Sequence, residues 1–355
     1  MKGRKKIMTK NNTYNIAIVG ATGAVGQKIL KILADKNFPI NDLKLLSSPR
    51  SAGKKIDFKG ETLTVEVAEA DSFKNVDVAL FSAGGSISKK LAPEAVKHGA
   101  IVVDNTSAYR MDPNVPLVVP EVNANALKDH QGIIANPNCS TIQMVAALKP
   151  IQEAFGLSRI VVSTYQAVSG AGWEAVEELE NQTKQHVNQE EMTADILPVG
   201  SDEKHYPIAF NALPQIDVFE ENGYTAEEMK MINESKKILE NNDLYVSATC
   251  VRLPIVTSHA ESVYIEVEKE NMTVSDIQKV IKTSDGVVLQ DDPSTQTYPT
   301  PLSAANKEDV FVGRIRKDLD HNNGFHLWIV SDNLVKGAAL NTVQIAQSLM
   351  NQGII

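Results

Sequence analysis

Gly20-Ala21-Thr22-Gly23-Ala24-Val25-Gly26 decides how this chain begins to fold. The short apolar run Asn15 to Val19 precedes it and reads as a strand. Ala24 to Ala34 follows, with Val25, Ile29, Ile32 and Leu33 on one helical face. Strand, glycine turn and helix together open a nucleotide-binding βαβ unit, here spaced GxxGxxG rather than GxGxxG. The first glycine permits the tight turn, the second admits a pyrophosphate to the backbone, and the third lets helix pack on strand. The helix N-terminus then presents free N–H groups to the anion. Gly20, Thr22, Gly23, Ala24 and Val25 are therefore expected at a cofactor.

The same rhythm continues outward. Leu43 to Leu46 and Val76 to Phe81 read as strands, Ser86 to His98 as a helix with Pro93 starting its second part, and Ala100 to Val103 as a strand. Such alternation implies a mostly parallel sheet covered on both faces. The second strand runs into Ser47-Ser48-Pro49-Arg50-Ser51-Ala52-Gly53-Lys54. An acidic residue for a ribose 2′-hydroxyl is absent there. The hydroxyls, Arg50 and Lys54 suit a 2′-phosphate, so NADP is favoured over NAD. Ser82-Ala83-Gly84-Gly85 closes another strand and would line the same crevice through Ser82 and Gly84.

Beyond residue 139 the pattern changes. Arg159 to Ala167, Ser247 to Leu253, Ser262 to Glu268, Val310 to Arg316 and Phe325 to Ser331 read as strands. Trp173 to His186, Ala226 to Leu239 and Ser275 to Lys282 read as helices. This is an α+β domain with an open sheet. Val335 to Met350 reads as one final apolar helix.

Between the two halves stands Asn136-Pro137-Asn138-Cys139-Ser140-Thr141, followed by the helical run Thr141 to Leu148. Pro137 cannot sit inside a helix and Asn138 is a good N-cap. A thiol at that helix mouth feels unpaired N–H groups and the positive dipole end, which favour thiolate. The competing reading is a buried structural cysteine. A thiolate beside a nucleotide fold suggests attack on an acyl carbon coupled to hydride transfer, which needs a base, an orienting group and a grip on the acyl donor. His259, just before an alternating strand, is the best base candidate. Arg252 lies in an apolar strand and needs an anion, either a substrate carboxylate or a structural acid. Gln166 could orient an acyl group, and the small-residue loop carrying Ser169 and Gly170 permits close backbone approach. Glu227 and Lys230, three apart on a helix, could equally be a surface ion pair.

The 355 residues suit about two domains by the length prior. Two cysteines argue against a disulfide scaffold and fit a reducing, cytoplasmic setting. A net charge of −9 disfavours binding to nucleic acid. No apolar run is long enough to cross a bilayer, and the basic leader 1–13 lacks an apolar core, so a disordered extension is expected. Met8 offers an alternative start. Two distant cysteines and scattered histidines lack metal-ligand spacing, so no metal is expected.

GATGAVG, SAGGS, VDNTSAYR, VPEVN, NPNCST, YQAVSGAG, the EEMK helix, CVRLPI, the serine–histidine before ESV, and SDNLVKGAA occur in order along nearly the whole chain. Together they resemble the aspartate-β-semialdehyde dehydrogenase family, in the branch typical of Gram-positive bacteria. The resemblance implies an α/β architecture like that of glyceraldehyde-3-phosphate dehydrogenase. A Rossmann-type NADP-binding domain, 1–138 with 335–355, would accompany an α+β catalytic and dimerisation domain, 139–334. It implies Cys139 as nucleophile, His259 as acid/base and Gln166 as orienting residue. Arg252 would bind the substrate carboxylate, Glu227 the ammonium, and Arg110 with Lys230 the phosphate. Asn138 would shape the pocket and Asn333 would meet the nicotinamide carboxamide. With Ser47, Ser48, Arg50, Ser51, Ser82, Gly84, Ser169 and Gly170, these complete the expected contacts. The implied reaction reduces L-4-aspartyl phosphate to L-aspartate 4-semialdehyde with NADPH, for lysine, threonine, methionine and diaminopimelate synthesis, in a homodimer or tetramer. N-acetyl-γ-glutamyl-phosphate reductases and acyl-CoA reductases share the fold, and a nucleotide-binding homologue without catalysis is the non-enzyme alternative.

Overall fold

The computed structural model describes residues 13–355, so the expected leader falls outside the described residues but for Thr13. The first half runs β1 (Tyr14–Val19), α1 (Ala24–Asp35), β2 (Ile40–Ser47), β3 (Lys55–Phe58), β4 (Glu61–Val67), β5 (Val78–Phe81), α2 (Gly85–Lys97), β6 (Ile101–Asp104), α3 (Pro120–Asn123) and β7 (Ile133–Ala135). Their order in one sheet is β3-β4-β2-β1-β5-β6-β7. All neighbours are parallel except the hairpin pair β3 and β4. Ile16 to Val19 and Val78 to Phe81 are wholly buried, as central strands covered on both faces must be. The order reverses at β1, with β2 on one side and β5 on the other. Chain leaving their carboxyl ends therefore lines a crevice suited to a ligand. The β3–β4 hairpin was not anticipated. Its strands are largely exposed, so the apolar alternation of Leu63, Val65 and Val67 is diluted by threonine and glutamate.

The second half begins with α4 (Cys139–Phe155), whose side chains are buried from Ser140 to Leu148. It continues through β8 (Arg159–Gln166), α5 (Trp173–Val187), α6 (Ala226–Ile238), β9 (Tyr245–Arg252), β10 (His259–Glu266), α7 (Val274–Lys282), β11 (Val287–Leu289), α8 (Pro301–Ala304), β12 (Val310–Lys317) and β13 (Gly324–Ser331). These strands form a mixed sheet, β11-β12-β13-β10-β8-β9. Alternate residues such as Ile160, Val162, Val263 and Ile265 pack with α4 and α7 in one core. The other sheet face is covered only in part, by Ala304 of α8 packed with Ala260, Phe311 and Val330, and Val161 and Tyr245 are exposed on it.

The register of this sheet lines up the chemistry. His259 pairs with Ser331, and Gln166 pairs with Arg252. Ala260 pairs with Tyr165, so the next step brings His259 beside Gln166. Ser331, His259, Gln166 and Arg252 thus form one row across four strands. They share the buried face because side chains alternate along a strand. His259 opens β10 rather than preceding it in a loop.

The final apolar segment is not one regular helix. Val335–Leu340 is a π-helix, and only Asn341–Asn351 is α-helical (α9). The wider turn lets Gly337 lie against Cys139, since a Cβ there would stand 2.7 Å from that of Cys139. Val343, Ile345, Ala346 and Leu349 then pack with Ile29, Leu33 and Val103 of the first half. No helix of the described residues is long and apolar enough to cross a membrane.

The glycine turn carries a direct test. A Cβ on Gly26 would stand 2.2 Å from Gly20 O and 2.9 Å from Ala21 Cα, both backbone atoms that cannot swing away. Gly26→Ala is expected to remove roughly 2–4 kcal/mol of stability, read as a lower urea midpoint. A wild-type midpoint contradicts that steric account.

Candidate active site

Gly20 leaves β1 at φ +91°, where its missing Cβ admits the backbone of Ser82. Gly23 caps α1 without a side-chain hydrogen bond, so the first-turn N–H groups are not claimed by a capping side chain. Thr22 Oγ1 and Ser47 Oγ lie 3.0 Å apart and tie the first two strand ends together. Ser51 closes a short 3₁₀ turn in which Ser48 and Arg50 are exposed. Gly84, at φ +90°, caps α2.

A cleft of about 810 Å³ runs from this turn to the second sheet. Gly23, Ala24, Val25 and Ser82 line one end. Arg110, Asn138, Cys139, Gln166, Ser169, Gly170, Glu227, Lys230, Arg252 and Asn333 line the rest. Gly20, Thr22, Ser47, Ser48, Arg50, Ser51 and Gly84 stand outside it, along the turns that lead to its nucleotide end. His259 is fully buried behind the wall.

Asn138 caps α4 as its sequence suggests, its Oδ1 accepting from Ser140 N–H. The Cys139 thiol donates to that same oxygen at 3.3 Å. Asn138 Nδ2 donates to Glu227 Oε1 at 2.8 Å, and Gln166 Nε2 donates to the same oxygen at 3.1 Å. Lys230 Nζ reaches Asp217 at 2.7 Å and Glu227 at 3.3 Å. The Glu227–Lys230 pair is therefore real but lies inside the cleft. Burial pushes the Glu227 carboxyl up, yet Lys230 and the two amides outweigh it and hold it below the usual carboxylate range. Lys230 is correspondingly raised by Glu227 and Asp217 against the effect of its own burial.

Two expectations need correction. The helix mouth does not by itself make Cys139 a thiolate. Burial, and then the Glu227 charge, push its thiol up to about 12, against weaker opposing pulls from Arg110 and Arg252. Nor does His259 stand as a ready base on sulfur: the thiol's hydrogen bond goes to Asn138. His259 Nδ1 accepts the Ala167 backbone N–H at 3.0 Å. Burial and then Arg252 push its imidazolium down to about 3. A neutral ring whose Nδ1 accepts carries its proton on Nε2, so His259 rests as a donor. The Gln166 amide nitrogen, 3.5 Å from Nε2, is turned there because Glu227 can only accept. Ser258, just before His259, is held at φ +73° with its N–H donating to Asn333 Oδ1 at 2.8 Å.

Arg252 is buried, and its Nη1 donates to Ala167 O at 2.8 Å. Among the described residues no carboxylate salt-bridges it, and its Nε has no partner. A cation so placed has donors free for an anion. Gly170 makes room for it, since a Cβ there would stand 3.0 Å from Arg252 Nη1. Arg110 is buried against Glu234 at 3.1 Å, with its Nε also unpartnered. Asn333 Nδ2 donates to Ser169 Oγ at 3.1 Å. Sequence reasoning passed over Glu234, Asp217 and Gly337. Glu234 had a signal, seven residues beyond Glu227 on the same helix face; the other two depend on contacts far apart in the chain. No cluster of three His, Cys, Asp or Glu that could hold a metal occurs among the described residues.

The arrangement matches known proteins closely. A family model described as semialdehyde dehydrogenase, NAD binding domain, matches residues 15–130. A second, semialdehyde dehydrogenase, dimerisation domain, matches residues 148–336. The aspartate-semialdehyde dehydrogenase of Bacillus subtilis (strain 168) is 65% identical over 341 residues, covering 96% of this chain and 99% of its own length. That of Aquifex aeolicus (strain VF5) is 53% identical over 346 residues, covering 96% and 99%. The crystal structure of aspartate semialdehyde dehydrogenase II from Vibrio cholerae complexed with ASA has a TM-score of 0.90 at 45% identity, covering 96% and 99%. Matched along nearly its whole length by relatives of that one kind, the chain belongs to the aspartate-semialdehyde dehydrogenase family.

Proposed function

We propose that this chain catalyses the reversible, NADP-dependent reductive dephosphorylation of L-4-aspartyl phosphate to L-aspartate 4-semialdehyde. One observation carries the reading: Cys139 opens into a cleft whose charges, the buried Arg252, Glu227 and Arg110 and the half-buried Lys230, oppose the carboxylate, ammonium and phosphate of that substrate. The relatives with this activity named above support it. The step would serve lysine, threonine, methionine and diaminopimelate synthesis in the cytoplasm.

The Gly20–Gly26 turn and the uncapped start of α1 fit a pyrophosphate, and Arg50 with the Ser47, Ser48 and Ser51 hydroxyls fits a 2′-phosphate. Asn333, which lines the same cleft, would meet the carboxamide. When bound, the nicotinamide supplies or takes the hydride. The chain's residues do the rest. Arg252 and Glu227 fix the amino-acid end of the substrate, and Arg110 with Lys230 grips the phosphate. Sulfur adds to the acyl carbon, the C–O bond to phosphate breaks, the thiol proton leaves on the departing phosphate, and a thioester remains on Cys139. Gln166 orients that acyl group, and the Nε2–H of His259 is available to a negative acyl oxygen. The substrate ammonium neutralises Glu227, one of the two influences that hold the thiol protonated. The nucleophile therefore sharpens when the right substrate binds. An N-acylated substrate brings no ammonium to Glu227, which favours the aspartyl reading over the glutamyl one. The exposed part of the second sheet's outer face, which carries Val161 and Tyr245 in the region matched by the dimerisation model, is the surface proposed to meet a second copy.

Two outcomes are expected. Wild type reduces NADP in a phosphate-dependent reaction with L-aspartate 4-semialdehyde, faster than it reduces NAD. Cys139→Ala loses about 10⁴-fold or more while still binding NADP. A wild type that binds NADP but is inactive contradicts the aspartyl assignment. Glu227→Gln removes the negative charge beside sulfur, so the thiol falls and iodoacetamide labels Cys139 faster at pH 7.5 than in wild type. Slower or equal labelling contradicts the proposed role of that charge.

A further inference from the structure

Glu234 has no part in the reaction set out above, yet both of its oxygens are committed beside the nucleophile. It lies on α6 seven residues after Glu227, is 1% exposed, and reaches two separate segments. Its Oε1 accepts from Arg110 Nη1 at 3.1 Å, and its Oε2 accepts the backbone N–H of Asn138 at 2.7 Å. Arg110 Nη2 donates to Asn105 O at 3.0 Å, so the guanidinium is held from two sides with Nε left over. One turn further along α6, Lys237 donates to the carbonyls of Arg110, Asp112 and Val115 at 2.9, 2.7 and 2.9 Å. A single rigid helix thus grips both the Arg110 loop and the cap of α4.

A carboxylate next to a phosphate site weakens anion binding by simple repulsion, so affinity alone gives no reason for Glu234. Its two-oxygen bridge does. We propose that Glu234 is a positioning residue that locks the Arg110 guanidinium and the Asn138–Cys139 backbone in one fixed relation. The phosphoryl group held by Arg110 and the sulfur of Cys139 then meet at the acyl carbon in register. The inference rests on the reading of Arg110 as a phosphate-binding residue.

The test compares Glu234→Asp, Glu234→Gln and Arg110→Met in the phosphate-dependent reaction, with KM for phosphate, KM for NADP and kcat measured for each. Aspartate keeps the charge but is one methylene too short to span both donors. Glutamine keeps the length but turns an N–H toward one of them. Both are expected to raise the phosphate KM about tenfold and to lower kcat, with the NADP KM unchanged. Glu234→Gln added to Arg110→Met should raise the phosphate KM little further, because the two act through one contact. If Glu234→Asp behaves as wild type while Arg110→Met raises the phosphate KM, Glu234 only balances charge and the proposal is overturned alone. If Arg110→Met leaves the phosphate KM unchanged, the phosphate reading of Arg110 fails and takes the proposal with it. Equal rises in the phosphate and NADP KM values mark a general loss of structure and also overturn it.

Discussion

Asn138 has no polar atom to spare. Its backbone N–H goes to Glu234, its carbonyl accepts from Ile142 N–H, its Nδ2 goes to Glu227, and its Oδ1 receives Ser140 N–H and the Cys139 thiol. The helix side of the cleft refers back to this residue. It starts α4, so it fixes where sulfur stands. It answers to two acids on α6, so it fixes that helix against α4. Through those acids it is joined to Gln166, Lys230 and Arg110. Buried polar groups so fully satisfied specify one arrangement, because any alternative leaves a donor or an acid unpaired in a dry environment.

The mixed sheet supplies the opposite wall. Ser331, His259, Gln166 and Arg252 come from four strands, and ladder register alone sets them side by side. A slip of one residue in any of those strands would turn its member to the other face. The row therefore converts hydrogen bonding of the backbone into spacing between an imidazole, an amide and a cation. Cys139 approaches from above on α4, with Gly337 of the π-helix pressed against it. The nucleotide-binding crevice, the sheet and the returning C-terminal segment thus converge on one sulfur.

Much of this was legible in the chain. The Gly20–Gly26 turn was readable because its glycines answer to steric demands inside seven residues. The α4 start was readable because Pro137 and Asn138 punctuate it locally. Arg252 was conspicuous because a cation in an apolar strand needs an explanation. The protonation of Cys139 and His259 was not readable. It depends on burial, on Glu227 from α6, on Arg252 from β9 and on the Ala167 N–H, none of which is adjacent in sequence. The roles of Arg110, Lys230 and Asn333 came from the family resemblance rather than from local pattern. The π-helix escaped notice because the contact it allows, Gly337 against Cys139, spans almost 200 residues.

The central claim is that sulfur of Cys139 carries the acyl group between phosphate and the aldehyde level. Peptide mass spectrometry of the enzyme mixed with L-aspartate 4-semialdehyde and NADP, with phosphate withheld and the reaction quenched in acid, tests it most directly. The account predicts an aspartyl adduct on the peptide carrying Cys139, lost when phosphate is restored before the quench. An unmodified Cys139 peptide alongside NADPH formation, or an adduct on another residue, contradicts it.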